Sequence, residues 1–134
     1  MTLSVINYKG NNIAKYPISC GKNWGDKEEK GDLKTPEGVF RVVDIQNATE
    51  WSHDFGDGKG KIKGAYGPYF VRLLTPGHAG IGIHGTHDDD SIGDRNTEGC
   101  IRLKNEDLVS LVKLVSIGDA VVITPSQHDV NNGK

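Results

Sequence analysis

Long hydrophobic runs are absent from this chain of 134 residues. Its apolar stretches are far shorter than the ~18 residues that a helix needs to cross a bilayer. The opening stretch, MTLSVINYKGNN, also lacks the charged region and the apolar region of a signal peptide. We therefore expect neither a membrane span nor a targeting segment in the sequence as given, although a signal peptide removed ahead of Met1 would leave the same appearance.

An excess of charge of either sign is also missing. The chain has 16 Lys and Arg residues against 18 Asp and Glu residues, for a formal net charge of −2. Domains that bind nucleic acid usually carry a clustered basic face, so we expect no nucleic-acid partner. The length fits one globular domain over residues 1–125, followed by a polar tail over residues 126–134.

Cysteine is scarce, with Cys20 and Cys100 as the two examples. Two cysteines are too few for a disulfide framework, and neither has a neighbour in the CxxC spacing of a metal site. Three interpretations remain open from the count: two buried small apolar residues, one disulfide bridge, or one reactive thiol.

Glycine, in contrast, is abundant, with 18 residues where roughly 7% is average. Tight turns between short strand-like runs favour a mainly β sandwich or barrel over a helix bundle. We predict a hairpin over 3–19, strands at about 38–46, 65–74, 79–86 and 120–124, and polar surface loops at 21–34, 52–64 and 87–99. Apolar residues at 108, 111, 112 and 115 predict one helix, with Asn105 as its N-cap.

The segment 81–103, IGIHGTHDDDSIGDRNTEGCIRL, holds a histidine and a cysteine that fit nucleophilic catalysis. A thiolate rather than a thiol attacks a carbonyl carbon, and a neighbouring imidazole can take the proton. We therefore predict Cys100 as the nucleophile and His84 as its base. Gly99 permits a tight turn, so that the backbone amides of Glu98, Gly99 and Cys100 could converge on a developing oxyanion.

These residues also carry a family resemblance. HGT at 84–86, TEGCIRL at 97–103 and the upstream block GDLKTPEGVFRV at 31–42 together resemble the signature of the YkuD-like L,D-transpeptidase family. The matches extend over roughly residues 18–123, in the expected order and spacing. The resemblance implies the fold of that family, with mixed sheets and one short helix.

The resemblance further implies a reaction on peptidoglycan. Cys100 would form a thioester with a stem peptide, His84 would shuttle the proton, and the carbonyl of Gly85 would orient the imidazole. The acyl group would pass to an amine in a transpeptidase or to water in an L,D-carboxypeptidase. No cofactor is implied, carbapenem β-lactams would be inhibitors, and the protein would be a monomer in the periplasm or cell wall.

Three residues are expected to contact substrate: Arg102 by the same resemblance, and Thr97 and Tyr69 by their place near the site. Thr97 has an alternative role as hydrogen-bonding support within the loop that presents Cys100. Arg102 has an alternative role in an ion pair with one of the aspartates at 88, 89, 90 or 94. Either Tyr66 or Tyr69 could approach the cleft, and core packing is the alternative for both. Trp24 and Trp51 could line a substrate groove or pack over a loop.

One position departs from the family pattern, because Glu98 stands where a histidine usually precedes Gly-Cys. A carboxylate there would raise the pKa of the Cys100 thiol by repelling the thiolate. The rival interpretation is therefore a wall-binding module that has the fold and has lost turnover. A zinc site on His84, His87 and Asp88 is a further alternative, although no third histidine or cysteine cluster completes it.

Overall fold

The computed structural model describes residues 1–125, and the predicted polar tail, 126–134, lies outside the described residues. The described part forms eleven strands and one α-helix. In chain order they are β1 (Thr2–Ile6), β2 (Asn12–Pro17), β3 (Cys20–Gly21), β4 (Gly38–Asn47), β5 (Ser52–Asp54), β6 (Lys61–Lys63), β7 (Tyr69–Leu74), β8 (Gly82–His84), β9 (Arg95–Thr97), β10 (Ile101–Arg102), α1 (Asn105–Val112) and β11 (Ala120–Ile123). The expected mainly β fold with one short helix is confirmed.

A five-stranded sheet forms the centre, in the order β10-β8-β7-β4-β11. Strands β10 and β8 are parallel, and the other neighbours in this sheet are antiparallel, so the sheet is mixed. Three two-stranded sheets accompany it, formed by β1 with β2, β3 with β9 and β5 with β6.

Side chains along the central strands point alternately to the two faces of the sheet, and one of these faces forms the apolar core. Val71, Ile83 and Ile101 lie side by side in register and are buried in the apolar core, where α1 packs through Leu108 and Leu111. Fully burying an aliphatic side chain of this kind stabilises the fold by about 1.5–3 kcal/mol. Because successive strand residues point to opposite faces, the residues next to these in sequence face the other side of the sheet.

The predicted elements match the observed ones where the apolar pattern is long. The first hairpin forms, and Asn7 stabilises its turn by accepting the backbone N–H groups of Lys9 and Asn11 through its side-chain oxygen. The strands predicted at 38–46 and 120–124 are observed as β4 and β11. The helix begins at Asn105, which is its first residue rather than the expected N-cap, and ends at Val112, three residues before the last periodic position.

Two expectations about the polar segments are wrong. Residues 52–64 contain the hairpin β5–β6, whose strands of three residues are too short to show an alternating pattern. Segment 21–34 is not only a solvated face, because Lys27 is buried and its ammonium lies 2.9 Å from a carboxylate oxygen of Asp32. Burial opposes ionisation of Asp32, but backbone N–H groups and the Lys27 ammonium outweigh it and hold the pKa of this carboxyl well below its usual range.

Candidate active site

A tight turn between β9 and β10 presents Cys100. The Thr97 hydroxyl donates to the Cys100 carbonyl at 2.7 Å and accepts the Gly99 N–H at 3.2 Å. Gly99 has φ +142°, and a Cβ there would lie 2.9 Å from the Lys34 carbonyl oxygen. Only glycine satisfies both conditions without strain, so this residue places Cys100 immediately before β10.

The sheet register brings the predicted base and the predicted nucleophile into one cleft. Arg102 pairs with His84 across the parallel strands β10 and β8. Continuing that register places Cys100 beside Gly82, and the Cys100 thiol donates a hydrogen bond to the Gly80 carbonyl oxygen at 3.4 Å. Cys100 and His84 therefore share the face opposite the core, where both line a cleft of about 500 Å³.

The imidazole of His84 is locked in one tautomer. Its Nδ1 lies 2.6 Å from the Gly85 carbonyl oxygen, which can only accept, so Nδ1 carries the proton and Nε2 keeps a free lone pair. The ring stacks on Phe70 with centroids 5.6 Å apart and meets the Tyr66 ring edge-on at 4.9 Å. His84 is 4% exposed, and burial, aided by the nearby Arg102 cation, lowers its pKa to about 4 although the hydrogen bond to Gly85 raises it. The base is therefore neutral in the resting protein at neutral pH.

Cys100 rests as a thiol that donates to the Gly80 carbonyl, in the same cleft as the neutral His84 imidazole. Burial raises its pKa, which the Gly82 backbone and the Arg102 cation partly oppose. The Glu98 carboxylate also raises this pKa, as expected from the sequence, but by less than Arg102 lowers it. The arrangement suits proton transfer from thiol to imidazole at the moment of attack rather than a preformed ion pair.

Arg102 is a buried cation that no carboxylate of the described residues approaches within salt-bridge distance, although Glu98 and Asp88 act on it at longer range. It is 7% exposed, its Nε has no hydrogen-bond partner, and its guanidinium lies 6.0 Å from the Phe55 ring centroid. Throughout residues 1–125 it forms no salt bridge, so the alternative of an ion pair with a loop aspartate is wrong. Burying an unpaired charge is costly, and a bound carboxylate would relieve that cost.

The other two predicted substrate residues are placed differently. The Thr97 hydroxyl bonds within the nucleophile turn, although the residue also lines the cleft. Tyr69 pairs with Asn47 on β4, packs against the apolar core and is not among the residues that line the cleft. Tyr66 lines the cleft in its place, together with Trp51, whose ring packs against Tyr66 and Phe70.

The two cysteines do not bridge. Cys20 is free and buried in β3, and Cys100 is free in the cleft, so the disulfide alternative is wrong and the buried apolar role fits Cys20. Within residues 1–125, no group of three His, Cys, Asp or Glu residues is arranged to hold a metal ion. His87, a member of the zinc alternative, instead places its ring 5.4 Å from that of Phe55.

A larger apolar cleft of about 1200 Å³ lies apart from these residues, between the β1–β2 hairpin and the core side of the central sheet. It contains none of the predicted catalytic, oxyanion or substrate residues. No helix within residues 1–125 is long and apolar enough to cross a membrane.

Asn105 is a site residue that the sequence analysis misassigned. The N-cap position belongs to Lys104, and the Asn105 amide instead clamps Thr86: it accepts the Thr86 N–H at 2.8 Å and donates to the Thr86 carbonyl at 2.9 Å. A Cβ on Gly85 would collide with the Asn105 side-chain oxygen. The clamp therefore holds the backbone whose carbonyl orients His84.

Asn105→Ala tests this clamp. It leaves two backbone groups of Thr86 without partners, so we expect the free energy of unfolding to fall by about 1–3 kcal/mol, together with slower alkylation of Cys100. Urea denaturation and iodoacetamide labelling measure the two effects. Asn47→Ala removes a comparable amide from an exposed turn and is the matched control. Equal destabilisation by the two variants would show that the Asn105 clamp stabilises the fold no more than an exposed turn amide does.

Comparison with known proteins agrees with the geometry. The sequence-family model of the L,D-transpeptidase catalytic domain, YkuD, matches residues 1–123. The YkuD protein of Bacillus licheniformis is 33% identical over 113 residues, covering 84% of this chain and 54% of the relative. The YkuD protein of Bacillus subtilis strain 168 is 31% identical over 124 residues, covering 92% and 58%. The chain belongs to the YkuD family of L,D-transpeptidase catalytic domains, and it spans little more than half the length of these relatives.

A solved structure shows the same fold. The helical cell shape determining protein Pgp2 of Campylobacter jejuni superposes with a TM-score of 0.63 at 27% identity, covering 87% of this chain and 41% of that protein. This likeness confirms the fold of a mixed sheet with one helix, and the family model identifies the domain as an L,D-transpeptidase catalytic domain.

Proposed function

We propose that this chain is the catalytic domain of a peptidoglycan L,D-transpeptidase that works through a Cys100 thioester. The supporting observation is the shared cleft of Cys100 and His84, with the His84 tautomer set by the Gly85 carbonyl. A neutral imidazole with its lone pair free is the form that can accept a thiol proton. The presence of both residues in one cleft does not favour the alternative function, a wall-binding module that has lost catalytic turnover.

In the first half of the reaction, the Cys100 sulfur attacks a carbonyl carbon of the stem peptide. His84 Nε2 takes the thiol proton and then gives it to the leaving amine, so that a thioester remains. Backbone amides of Glu98, Gly99 and Cys100 stabilise the oxyanion. The Gly99 N–H, which bonds to Thr97 at rest, exchanges that partner for the developing charge.

The positively charged residues that line the cleft support the proposal of an acidic substrate. The Lys and Arg residues that line it are Lys27, Lys30, Arg72 and Arg102, and its one acidic lining residue among those described is Glu98. A cationic cleft in a chain of net charge −2 favours a ligand that carries carboxylates, as a stem peptide does. Arg102, buried and unpaired, is the residue that binds one of them, and such a substrate places the protein in the periplasm or cell wall.

The acyl acceptor decides the product. Transfer of the acyl group to an amine joins two peptides, whereas transfer to water trims the donor, and the same thioester serves both reactions. The amide of a carbapenem is strained, so it acylates the same activated thiol and blocks the site.

Mass spectrometry of the protein with a synthetic stem peptide tests the function. We expect a covalent species whose added mass equals the acyl part of the donor, and a new amide once an amine acceptor is added. A chelator should leave both steps unchanged, since no metal takes part. If the thiol titrates as free and no covalent species forms, the transpeptidase proposal fails and the wall-binding module is favoured.

A further inference from the structure

A chain of hydrogen bonds at the cleft has no part in thioester formation. The Tyr66 hydroxyl lies 3.1 Å from His53 Nδ1, and His53 Nε2 lies 2.7 Å from a carboxylate oxygen of Glu98. His53 is carried by β5, Tyr66 precedes β7, and Glu98 belongs to the nucleophile turn. All three residues line the cleft that contains Cys100.

The hydrogen-bond partners determine which atoms of this series carry the protons. A carboxylate only accepts, so His53 Nε2 carries the proton that is donated to Glu98. In the neutral ring, His53 Nδ1 is then a lone pair that accepts the Tyr66 hydroxyl proton. The three groups therefore form one directed path from Tyr66 to Glu98.

This path connects the reacting groups with solvent. The Tyr66 ring contacts the His84 ring at its inner end, with centroids 4.9 Å apart. Exposure of the side chain rises from 27% at His53 to 52% at Glu98 at the outer end. Burial, followed by electrostatic effects of Cys100 and of the Glu98 carboxylate, raises the pKa of Tyr66, so its hydroxyl is protonated at rest.

The second half of the proposed reaction creates a need for such a path. An alkylamine, with a pKa of about 10.4 like that of lysine, arrives as an ammonium ion that has no lone pair. It must lose one proton before attack and a second during attack. His84 Nε2 offers a single lone pair, which is sufficient for the second proton only.

We propose that Tyr66, His53 and Glu98 form a proton relay that deprotonates the acceptor ammonium, an inference that rests on the proposed transpeptidase function. The ammonium proton passes to the Tyr66 oxygen while the Tyr66 hydroxyl proton passes to His53 Nδ1. The resulting imidazolium is stabilised by the Glu98 carboxylate, and its Nε2 proton leaves to solvent.

The remaining steps balance. The freed amine nitrogen bonds to the thioester carbon, and the carbon–sulfur bond breaks. The second amine proton passes through His84 Nε2 to the Cys100 sulfur. The products are an amide and a free thiol, with one proton released to solvent. Glu98 thus has a positive role at the position where the family usually has a histidine.

Two acceptors distinguish a relay from a structural brace of the β5–β6 hairpin. An alkylamine needs deprotonation, whereas hydroxylamine is largely a free base at neutral pH and does not. The thioester is formed with a stem peptide and then released with each acceptor in separate reactions. The measured quantity is the ratio of the two transfer rates, which does not change if a variant merely lowers the amount of well-folded protein.

His53→Gln retains a donor to Glu98 but cannot carry a proton, and Tyr66→Phe retains the ring against His84. We expect each to lower the alkylamine-to-hydroxylamine ratio by about 100-fold. Ser52→Ala, on the opposite face of β5, should leave the ratio unchanged. An unchanged ratio in both relay variants would overturn the relay, whether the rates fall together or not at all. A wild-type protein that forms no thioester, or passes it only to water, would instead defeat the proposed function and the relay with it.

Discussion

Cys100→Ala abolishes the covalent adduct that the wild-type protein forms with a carbapenem. The expected adduct has one drug mass per chain, because the cleft holds one thiol next to a neutral imidazole. Intact-mass spectrometry of the reduced protein gives the result directly. Loss of the nucleophile removes the bond-forming atom, so we expect no residual adduct.

Cys20 supplies the matched control for this experiment. It is a free cysteine like Cys100, but burial in β3 raises the pKa of its thiol, and it does not line the cleft that contains His84. Cys20→Ala should therefore form the adduct at the wild-type rate. An adduct that survives in Cys100→Ala and disappears in Cys20→Ala would refute the assignment of the nucleophile.

His84→Gln slows acylation of Cys100 by about 10²–10⁴-fold at neutral pH, the usual contribution of a positioned general base. The wild-type rate should be constant at neutral pH and fall as the pH drops through about 4, where His84 is protonated. The variant depends on the small thiolate fraction, and its rate should rise with pH because the pKa of Cys100 is raised. Stopped-flow measurement with a carbapenem across this range tests both profiles.

The same variant has a second readout in stability. Because the pKa of His84 falls from 6.5 to about 4 on folding, the unfolded chain binds a proton in that window that the folded chain does not. The wild-type protein should therefore lose stability as the pH falls from 6.5 toward 4, and His84→Gln should lose less. Parallel acid losses in the two proteins, together with equal acylation rates, would show that His84 is neither the base nor buried in neutral form.

Glu98 illustrates how a local expectation can be outweighed by its surroundings. Next to Cys100 in sequence, it was expected to oppose thiolate formation. In the folded protein its carboxylate bonds to His53, and the Arg102 cation lowers the Cys100 pKa by more than Glu98 raises it. The departure from the family pattern therefore does not by itself imply an inactive site.

The short polar elements were the hardest to predict. Hairpin β5–β6 has three residues in each strand, too few for a periodic signal, yet it brings His53 and Phe55 to the cleft. Of the two tyrosines around Gly67-Pro68, only Tyr66 reaches the site, because Tyr69 lies in β7 and packs against the core. Sequence spacing alone could not choose between them.

By itself, the sequence determined the long strands and the helix, because these depend on local alternation, and its short motif predicted His84 and Cys100 as the catalytic pair. Only the tertiary structure decided which distant groups meet them. The bond from His53 to Glu98 joins residues 45 positions apart, and that from Asn105 to Thr86 joins residues 19 apart. Such contacts arise from strand register and loop packing, which place side chains together without leaving a periodic trace in the chain.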